Sequence, residues 1–312
     1  MSFSGIVKKE LSEQIARTRS CQLSELSALL LFCGSLKNRK GQLSLILKTE
    51  NEDVVRKYFT LLKKAYNIDT CALPDPGQEP AKTGIYEIEI TKEQELTDIL
   101  KGVKWMTPEG EILHMSDTVN PLLLQTTDMK RAFLRGAYLA GGSMSDPRKG
   151  YHLEYVCTTL PMAEQLQSVV RSFDIEAKIV ERKRYQVLYI KEGESIVELL
   201  NVMEAHRALM DLENLRIEKE IRNSINRRVN CETANICKTA NAASRQVADI
   251  ELIQRVQGLD SLPGPLREMA QVRLEHPEEP LADLGNYLDP PVGKSGVNHR
   301  LRKLSEIAES LQ

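Results

Sequence analysis

The sequence lacks the marks of several protein classes. No apolar run approaches the ~20 residues that a membrane-spanning helix requires. The six cysteines are scattered, with no CxxC pair and no matching pair of histidines, so we expect reduced thiols and no structural metal. The formal net charge of −2 excludes a uniformly basic nucleic-acid binder of the histone kind. No pattern indicates a cofactor.

The N-terminal stretch MSFSGIVKKELSEQIA also lacks the features of a signal peptide. It has neither a long apolar core nor a small-residue cleavage site. Ile6, Val7, Leu11 and Ile15 instead lie on one side of a predicted amphipathic helix. We therefore expect a cytoplasmic protein without a membrane partner.

Two stretches in the first two-thirds of the chain resemble each other. LSALLLFCGSLKNRKGQLSLILKT (26–49) and LRGAYLAGGSMSDPRKGYHLEYVCTT (134–159) each combine an apolar helix, a Gly-Ser step, a basic turn and an alternating strand. Further helices and strands follow in the same order, which predicts the element order αββαββα twice. Gly34 and Gly142 mark the same point in the two copies. This order indicates an internal duplication.

The duplication predicts an α+β fold class with three segments. Residues 1–206 form the repeat domain, with repeats at about 22–106 and 130–206. Residues 207–257 form a helical basic linker, in which we expect clusters of asparagine to interrupt the helix. Residues 258–312 form an all-α domain with a helix-turn-helix motif at about 274–308.

The repeated helices resemble those of the LAGLIDADG homing endonucleases in their two-repeat form. Small residues at matching positions would let the two helices pack closely: Ala28, Gly34, Gly136, Ala140 and Gly142. In the enzymes, an acidic residue near the end of each helix holds the catalytic divalent metal. Cys33 and Gly141 occupy those positions here, and neither suits Mg²⁺, which prefers hard oxygen ligands. The resemblance therefore implies the fold without metal or catalytic residues.

The last predicted helix carries the pattern of a DNA-recognition helix. Val297, Leu301, Leu304, Ala308 and Leu311 form its apolar stripe. Polar and basic side chains gather near its N-terminus, where a recognition helix reads the major groove, and Ser295 is the predicted N-cap. The predicted DNA contacts are Lys294, Ser295, Asn298, His299, Arg300, Arg302 and Lys303.

The chain as a whole resembles the WhiA family of bacterial sporulation and cell-division regulators. The strongest matches are KRAFLRGAYLAGGS, RRVNCETANICKTANAA and PVGKSGVNHRLRKL. The resemblance implies a non-catalytic DNA-binding protein on the nucleoid, with roles in transcription regulation, cell division, chromosome segregation and, in sporulating species, sporulation. The predicted partner is double-stranded DNA, with other regulatory proteins as further candidates.

Two alternatives and a second DNA surface follow from the same residues. The alternatives are a residual metal-dependent DNA endonuclease and a scaffold that binds protein partners. The second surface would use basic residues of the repeat domain and of the linker. The candidates for it are Lys37, Arg39, Lys40, Arg148, Lys149, Arg182, Lys183, Arg184, Arg227 and Arg228.

Overall fold

A computed structural model describes residues 2–39, 41–68, 84–113 and 117–311. The chain divides into two compact units, residues 1–218 and residues 219–312. Among the described residues, no helix is long and apolar enough to cross a membrane.

The first unit begins with one helix and the first repeat. The elements are α1 (Phe3–Glu13), α2 (Arg19–Cys33), β1 (Gly34–Arg39), β2 (Gln42–Thr49), α3 (Glu52–Tyr66), β3 (Tyr86–Ile90) and α4 (Glu93–Gly102). The three strands form an antiparallel sheet in the order β1-β2-β3, with Leu36 opposite Leu45 and Leu45 opposite Ile90. Residues 69–83, between α3 and β3, lie outside the described residues.

The second repeat follows a short 3₁₀ turn at Pro121–Leu124. Its elements are α5 (Thr127–Gly141), β4 (Gly142–Met144), β5 (Leu153–Cys157), α6 (Leu160–Arg171), β6 (Lys178–Arg182), β7 (Tyr185–Ile190) and α7 (Gly193–Val202). The strands form an antiparallel sheet in the order β4-β5-β7-β6. This repeat has the predicted order αββαββα, and the α+β fold class is confirmed.

Helices α2 and α5 pack against each other through small residues. A Cβ atom added to Gly136 would lie 2.5 Å from the carbonyl oxygen of Glu25 and 2.9 Å from the Cβ of Ala28. Ala28, Ala137 and Leu139 are buried in the common core. The absence of a side chain at position 136 therefore allows the two helix backbones to approach closely.

The same helix pair buries three charged side chains that the sequence analysis did not single out. Lys57 Nζ lies 2.9 Å from Glu25 Oε1, and Arg135 Nε lies 3.4 Å from the same oxygen. Arg135 Nη1 also donates to Glu204 Oε2 at 2.5 Å. Lys57 further donates to the carbonyl oxygens of Leu11 and Gln14. Each buried charge therefore has a partner of opposite sign, as buried ions require.

Helix α8 (His206–Val256) is continuous over the predicted linker. The prediction that its asparagine clusters interrupt the helix is wrong. The side chains of Asn223, Asn226, Asn230, Asn235 and Asn241 are all exposed. Because they point into solvent, they do not compete with the backbone for its hydrogen bonds.

The second unit is helical. Helices α9 (Gly264–Glu275), α10 (Leu281–Leu284) and α11 (Lys294–Ser310) are accompanied by 3₁₀ turns at Leu259–Ser261 and Gly285–Tyr287. Ile250 and Ile253 from the last turns of α8 lie in the core of this unit. Part of the segment assigned to the linker thus belongs to the core. The other core residues are Leu262, Met269, Ala270, Val272, Leu284, Leu288, Val297, Leu301, Leu304 and Ala308.

Candidate nucleic-acid interface

Helix α11 is held in the second unit by its apolar stripe. Val297, Leu301, Leu304 and Ala308 are buried to 1% exposure or less, at helical spacing. Ser305 adds a polar anchor, since its Oγ donates to Asp249 Oδ2 at 2.5 Å. The N-cap of α11 is Gly293, without a side-chain hydrogen bond. The prediction of Ser295 as the N-cap is therefore wrong, because the helix begins two residues earlier than that prediction requires, at Lys294.

A buried arginine fixes the elements beside α11. Arg273 at the end of α9 donates from Nε and Nη2 to Gln246 Oε1 at 3.0 and 2.8 Å. Its Nη1 reaches the carbonyl oxygens of His276 and Glu279. Burial lowers the pKa of Arg273, and these acceptors satisfy its donors. Arg273 ties α9 to α8 and to the loop that precedes α10.

Six of the seven residues predicted to contact DNA lie on one exposed face of α11. At about 100° per residue, they span roughly half of the helix circumference, opposite the buried stripe. All six side chains are exposed: Lys294, Ser295, Asn298, His299, Arg302 and Lys303. The first ten residues of the helix contain no acidic side chain, and Glu306 and Glu309 come only in its C-terminal half.

Arg300 differs from the other six. Its side chain is 22% exposed and lies next to the buried stripe. The guanidinium contacts Glu268 Oε2 at 3.6 Å and the carbonyl oxygen of Pro265 at 3.4 Å, both on α9. Because these contacts face α9, the structure assigns Arg300 to packing of α11 rather than to the exposed face.

Arg302 makes only a surface ion pair. Its Nε lies 3.2 Å from Glu306 Oε1, one helical turn later, and its side chain is 78% exposed. Exposed pairs of this kind are worth about 0–1 kcal/mol, so a phosphate can replace the carboxylate at low cost.

In the repeat domain, two predicted contacts lie on the face of the first sheet opposite the core, with Lys37 half-buried and Arg39 exposed. Lys37 and Arg39 lie two residues apart on β1, so both are on the same face of the strand. Lys48 on β2 forms an ion pair with Glu87 at 2.7 Å. The hydrogen bond from Lys48 lowers the pKa of Glu87, and the charges of Lys37 and Arg39 add to the effect. The basic side chains of β1 are therefore close enough to Glu87 to favour its charged form.

The remaining candidates of this second surface are dispersed. Arg182 pairs with Glu154 at 3.1 Å, and Arg184 lies over the ring of Tyr185. Lys183 occupies the turn between β6 and β7 with a positive φ of 56°. Arg148 and Lys149 lie in the turn after β4, and Arg227 and Arg228 are exposed on α8. Lys40 lies outside the described residues.

The helix ends that carry acids in the endonucleases are occupied by Cys33 and Gly141. Burial raises the pKa of the Cys33 thiol to about 11, and the charge of Lys8 opposes this shift. A Cβ atom on Gly141 would lie 2.3 Å from the ring of Phe32. Position 141 would therefore accept a larger side chain only if the ring of Phe32 moved. Within the described parts of the chain, no three His, Cys, Asp or Glu residues form a group that could hold a metal ion.

Models of three domains of one known protein family match nearly the whole chain. Residues 19–104 match the model of the WhiA N-terminal LAGLIDADG-like domain, and residues 130–222 match the WhiA LAGLIDADG-like domain. Residues 225–308 match the WhiA C-terminal HTH domain. The last match begins within α8 and includes the turns of α8 that lie in the core of the second unit.

Individual proteins agree with the family models. The probable cell division protein WhiA of Lachnoclostridium phytofermentans is 48% identical, with 100% of both chains covered. The corresponding protein of Clostridium perfringens is 44% identical over 100% of this chain and 99% of its own. The crystal structure of full-length WhiA from Thermatoga maritima is 27% identical, with a TM-score of 0.60 over 99% of both chains. The chain belongs to the WhiA family.

Proposed function

We propose that the protein is a non-catalytic, sequence-specific DNA-binding protein whose α11 enters the major groove. The observation that carries this proposal is the exposed face of α11, opposite a stripe anchored in the core of the second unit. Amide and guanidinium groups such as those of Asn298 and Arg302 can read base edges, and Ser295 and His299 lie beside them. Lys294 and Lys303 would bind backbone phosphates.

The charge distribution along α11 supports binding in which the N-terminal half of the helix lies nearest to the DNA. Basic side chains occupy that half, and the partial positive charge of the helix N-terminus adds to them. The carboxylates of Glu306 and Glu309 would repel phosphate and therefore suit the half that is farther from the DNA. A helix-turn-helix domain places its recognition helix in this way.

We further propose that binding serves transcription regulation in cell division and chromosome segregation, and in sporulation where the organism sporulates. The relatives named above are called probable cell division proteins, and their family model includes an HTH domain. A DNA-binding regulator with these roles would be found on the nucleoid. Other regulatory proteins remain proposed partners.

The face of the first sheet opposite the core is a second proposed DNA contact. Lys37, Arg39 and Lys48 alternate along two neighbouring strands, so their charges can follow a phosphate backbone. The endonuclease alternative has less support, because Cys33 and Gly141 offer no oxygen ligand for Mg²⁺. It predicts nicking of supercoiled plasmid in Mg²⁺, and we expect the plasmid to stay intact.

Charge reversal on α11 tests the proposal in the full chain. The double variant Arg302→Glu, Lys303→Glu should bind duplex DNA at least about tenfold more weakly at low salt. The slope of log affinity against log salt should fall by about two, one for each phosphate that is no longer neutralised. Fluorescence anisotropy over a salt series measures both quantities.

The matched control reverses two lysines on α3. Lys63 and Lys64 are exposed in the last turn of that helix and are not among the proposed contacts. The variant Lys63→Glu, Lys64→Glu changes the net charge equally and should retain DNA affinity. Equal binding by both double variants would refute the role of α11 and favour a scaffold that binds proteins.

A further inference from the structure

A polar cavity lies within the first unit, at the N-terminal ends of its two central helices. Its volume is about 610 Å³, which is within the range of small-molecule sites. It is bordered by the segment between α1 and α2, the first turns of α2 and α5, and the start of α8. The charged lining residues are Arg17, Asp128, Arg131, Arg135 and Glu204, with His206 beside them.

This cavity is remote from the helix ends that correspond to the endonuclease site. Cys21 of α2 lines it, whereas Cys33 ends the same helix at the start of the first sheet. The twelve residue steps from Cys21 to Cys33 correspond to about 18 Å of helix. The cavity is therefore separate from the sheet face and from the former metal positions. It also shares no residue with the second unit, where we place the DNA-recognition helix.

Two arginines in the cavity have unused donors. Arg17 is exposed and forms no ion pair with any residue that the structure describes. The Nε atom of Arg131 is buried and has no hydrogen-bond partner among the described residues. A buried N–H without an acceptor costs free energy. The cationic guanidinium of Arg131, which lines the cavity, favours an anion there.

Other residues of the cavity lining are held in place by contacts within the protein. Arg135 is held by Glu25 and Glu204, so its guanidinium has a defined position. Thr18 is the N-cap of α2, which brings the positive end of that helix to the cavity. The first N–H groups of α8, from Arg207 and Ala208, donate instead to the carboxylate of Glu10. Asp128 and Glu204 supply acceptor oxygens among the lining residues.

We infer that this cavity binds a small phosphorylated molecule that also carries hydroxyl groups, such as a sugar phosphate or a nucleotide. The planar guanidinium groups of Arg17 and Arg131 suit the oxygens of a phosphate. The carboxylates of Asp128 and Glu204 would accept hydrogen bonds from the hydroxyl groups. A ligand without hydroxyls would leave these acceptors unused, and one without phosphate would leave the arginines unpaired.

The test uses the full chain and two probes, ribose 5-phosphate and adenosine monophosphate, each compared with its phosphate-free counterpart. Isothermal titration calorimetry should give saturable binding of at least one probe. Ribose and adenosine should bind at least about tenfold more weakly, because they lack the charge-assisted hydrogen bonds. The variant Arg17→Gln, Arg131→Gln should lower the probe's affinity at least tenfold.

Two controls separate this site from general effects. Arg171→Gln removes an exposed arginine at the end of α6 that does not line the cavity, and it should retain probe binding. Arg17→Gln, Arg131→Gln should retain its melting temperature without ligand and its affinity for duplex DNA, so failure of this site is distinguishable from failure of DNA binding. Absence of saturable binding by both probes, or equal loss in the Arg171 variant, would overturn the inference.

Discussion

Arginine is used in opposite ways in the two units of this protein. Arg135 on α5 is 4% exposed and lies between two carboxylates in the seam of the repeat domain. Arg302 on α11 is 78% exposed and makes only a surface pair. The first arginine contributes to the structure of its own domain, whereas the second is available to another molecule. Exposure and pairing, rather than residue type, therefore separate structural from functional charge here.

The difference also shows where charged side chains lie in the LAGLIDADG-like part of the chain. The close packing of α2 and α5 is retained, and the ends of both helices lack metal ligands. Charged groups lie inside the seam between α2 and α5, at Glu25 and Arg135, and not at the end where a phosphodiester would be cut. The proposed DNA contact is instead concentrated in the second unit.

The largest expected effect comes from breaking the buried charge network. Glu25→Ala would leave Lys57 and Arg135 without their shared, fully buried carboxylate. Removal of one partner of a buried ion pair costs about 3–5 kcal/mol of unfolding free energy. Urea denaturation of the full chain, followed by circular dichroism, measures the loss.

Glu52→Ala is the matched control for that change. Glu52 pairs with Arg56 one turn away on the surface of α3. Exposed pairs contribute about 0–1 kcal/mol, so this variant should stay close to the unchanged protein. A similar small loss for both variants would show that the buried network is not important for stability.

A smaller effect should follow from filling the seam itself. Gly136→Val places a side chain where even a Cβ atom would lie 2.5 Å from the backbone of α2. Overpacking of this kind costs about 1–3 kcal/mol of unfolding free energy. Gly150→Ala is the control, because no atom lies within 4 Å of its added Cβ. Equal melting temperatures for Gly136→Val and Gly150→Ala would contradict close packing at position 136.

The same comparison of structural and functional arginines can be made within α11. This helix carries Arg300, which is paired with α9, and Arg302, which is exposed. Arg302→Ala should weaken duplex binding by about tenfold, or about 1.4 kcal/mol, because it removes the group that would bind a base or a phosphate. Arg300→Ala should instead lower the unfolding free energy of the second unit by up to about 1 kcal/mol, because it removes the ion pair with Glu268. Anisotropy and urea denaturation of both variants separate the two roles. A larger loss of DNA affinity for Arg300→Ala would reverse the assignment.

The smallest effect concerns thiol reactivity at the end of α2. Burial raises the pKa of Cys33 to about 11, so its thiol stays protonated below that pH, and the reactive thiolate increases about tenfold per pH unit up to it. Iodoacetamide at pH 8 should therefore modify exposed Cys231 well before Cys33. Mass spectrometry of labelled peptides at pH 8 and pH 9 follows both sites. Equal rates at pH 8 would contradict burial of Cys33.

Much of the fold was predictable because it depends on the local spacing of apolar and polar residues along the chain. The duplicated order of helices and strands and the stripe of α11 depend on residues close together in the chain. The cluster of Glu25, Lys57, Arg135 and Glu204 could not be found in this way, because its members are far apart in sequence and charged residues are ordinarily exposed. One signal was available: Glu25 lies one helical turn before Ala28 on α2, and Arg135 directly precedes Gly136 on α5.

The sequence by itself determined the two repeats, the loss of acids at Cys33 and Gly141, and the polar face of α11. Those features are set by residue identity and by spacing within single elements. Only the tertiary structure decided that Arg300 packs against α9 while Arg302 is exposed, and that Arg17 and Arg131 border one cavity. The physical reason is that burial and pairing depend on neighbours from other elements, which come together only when the chain folds.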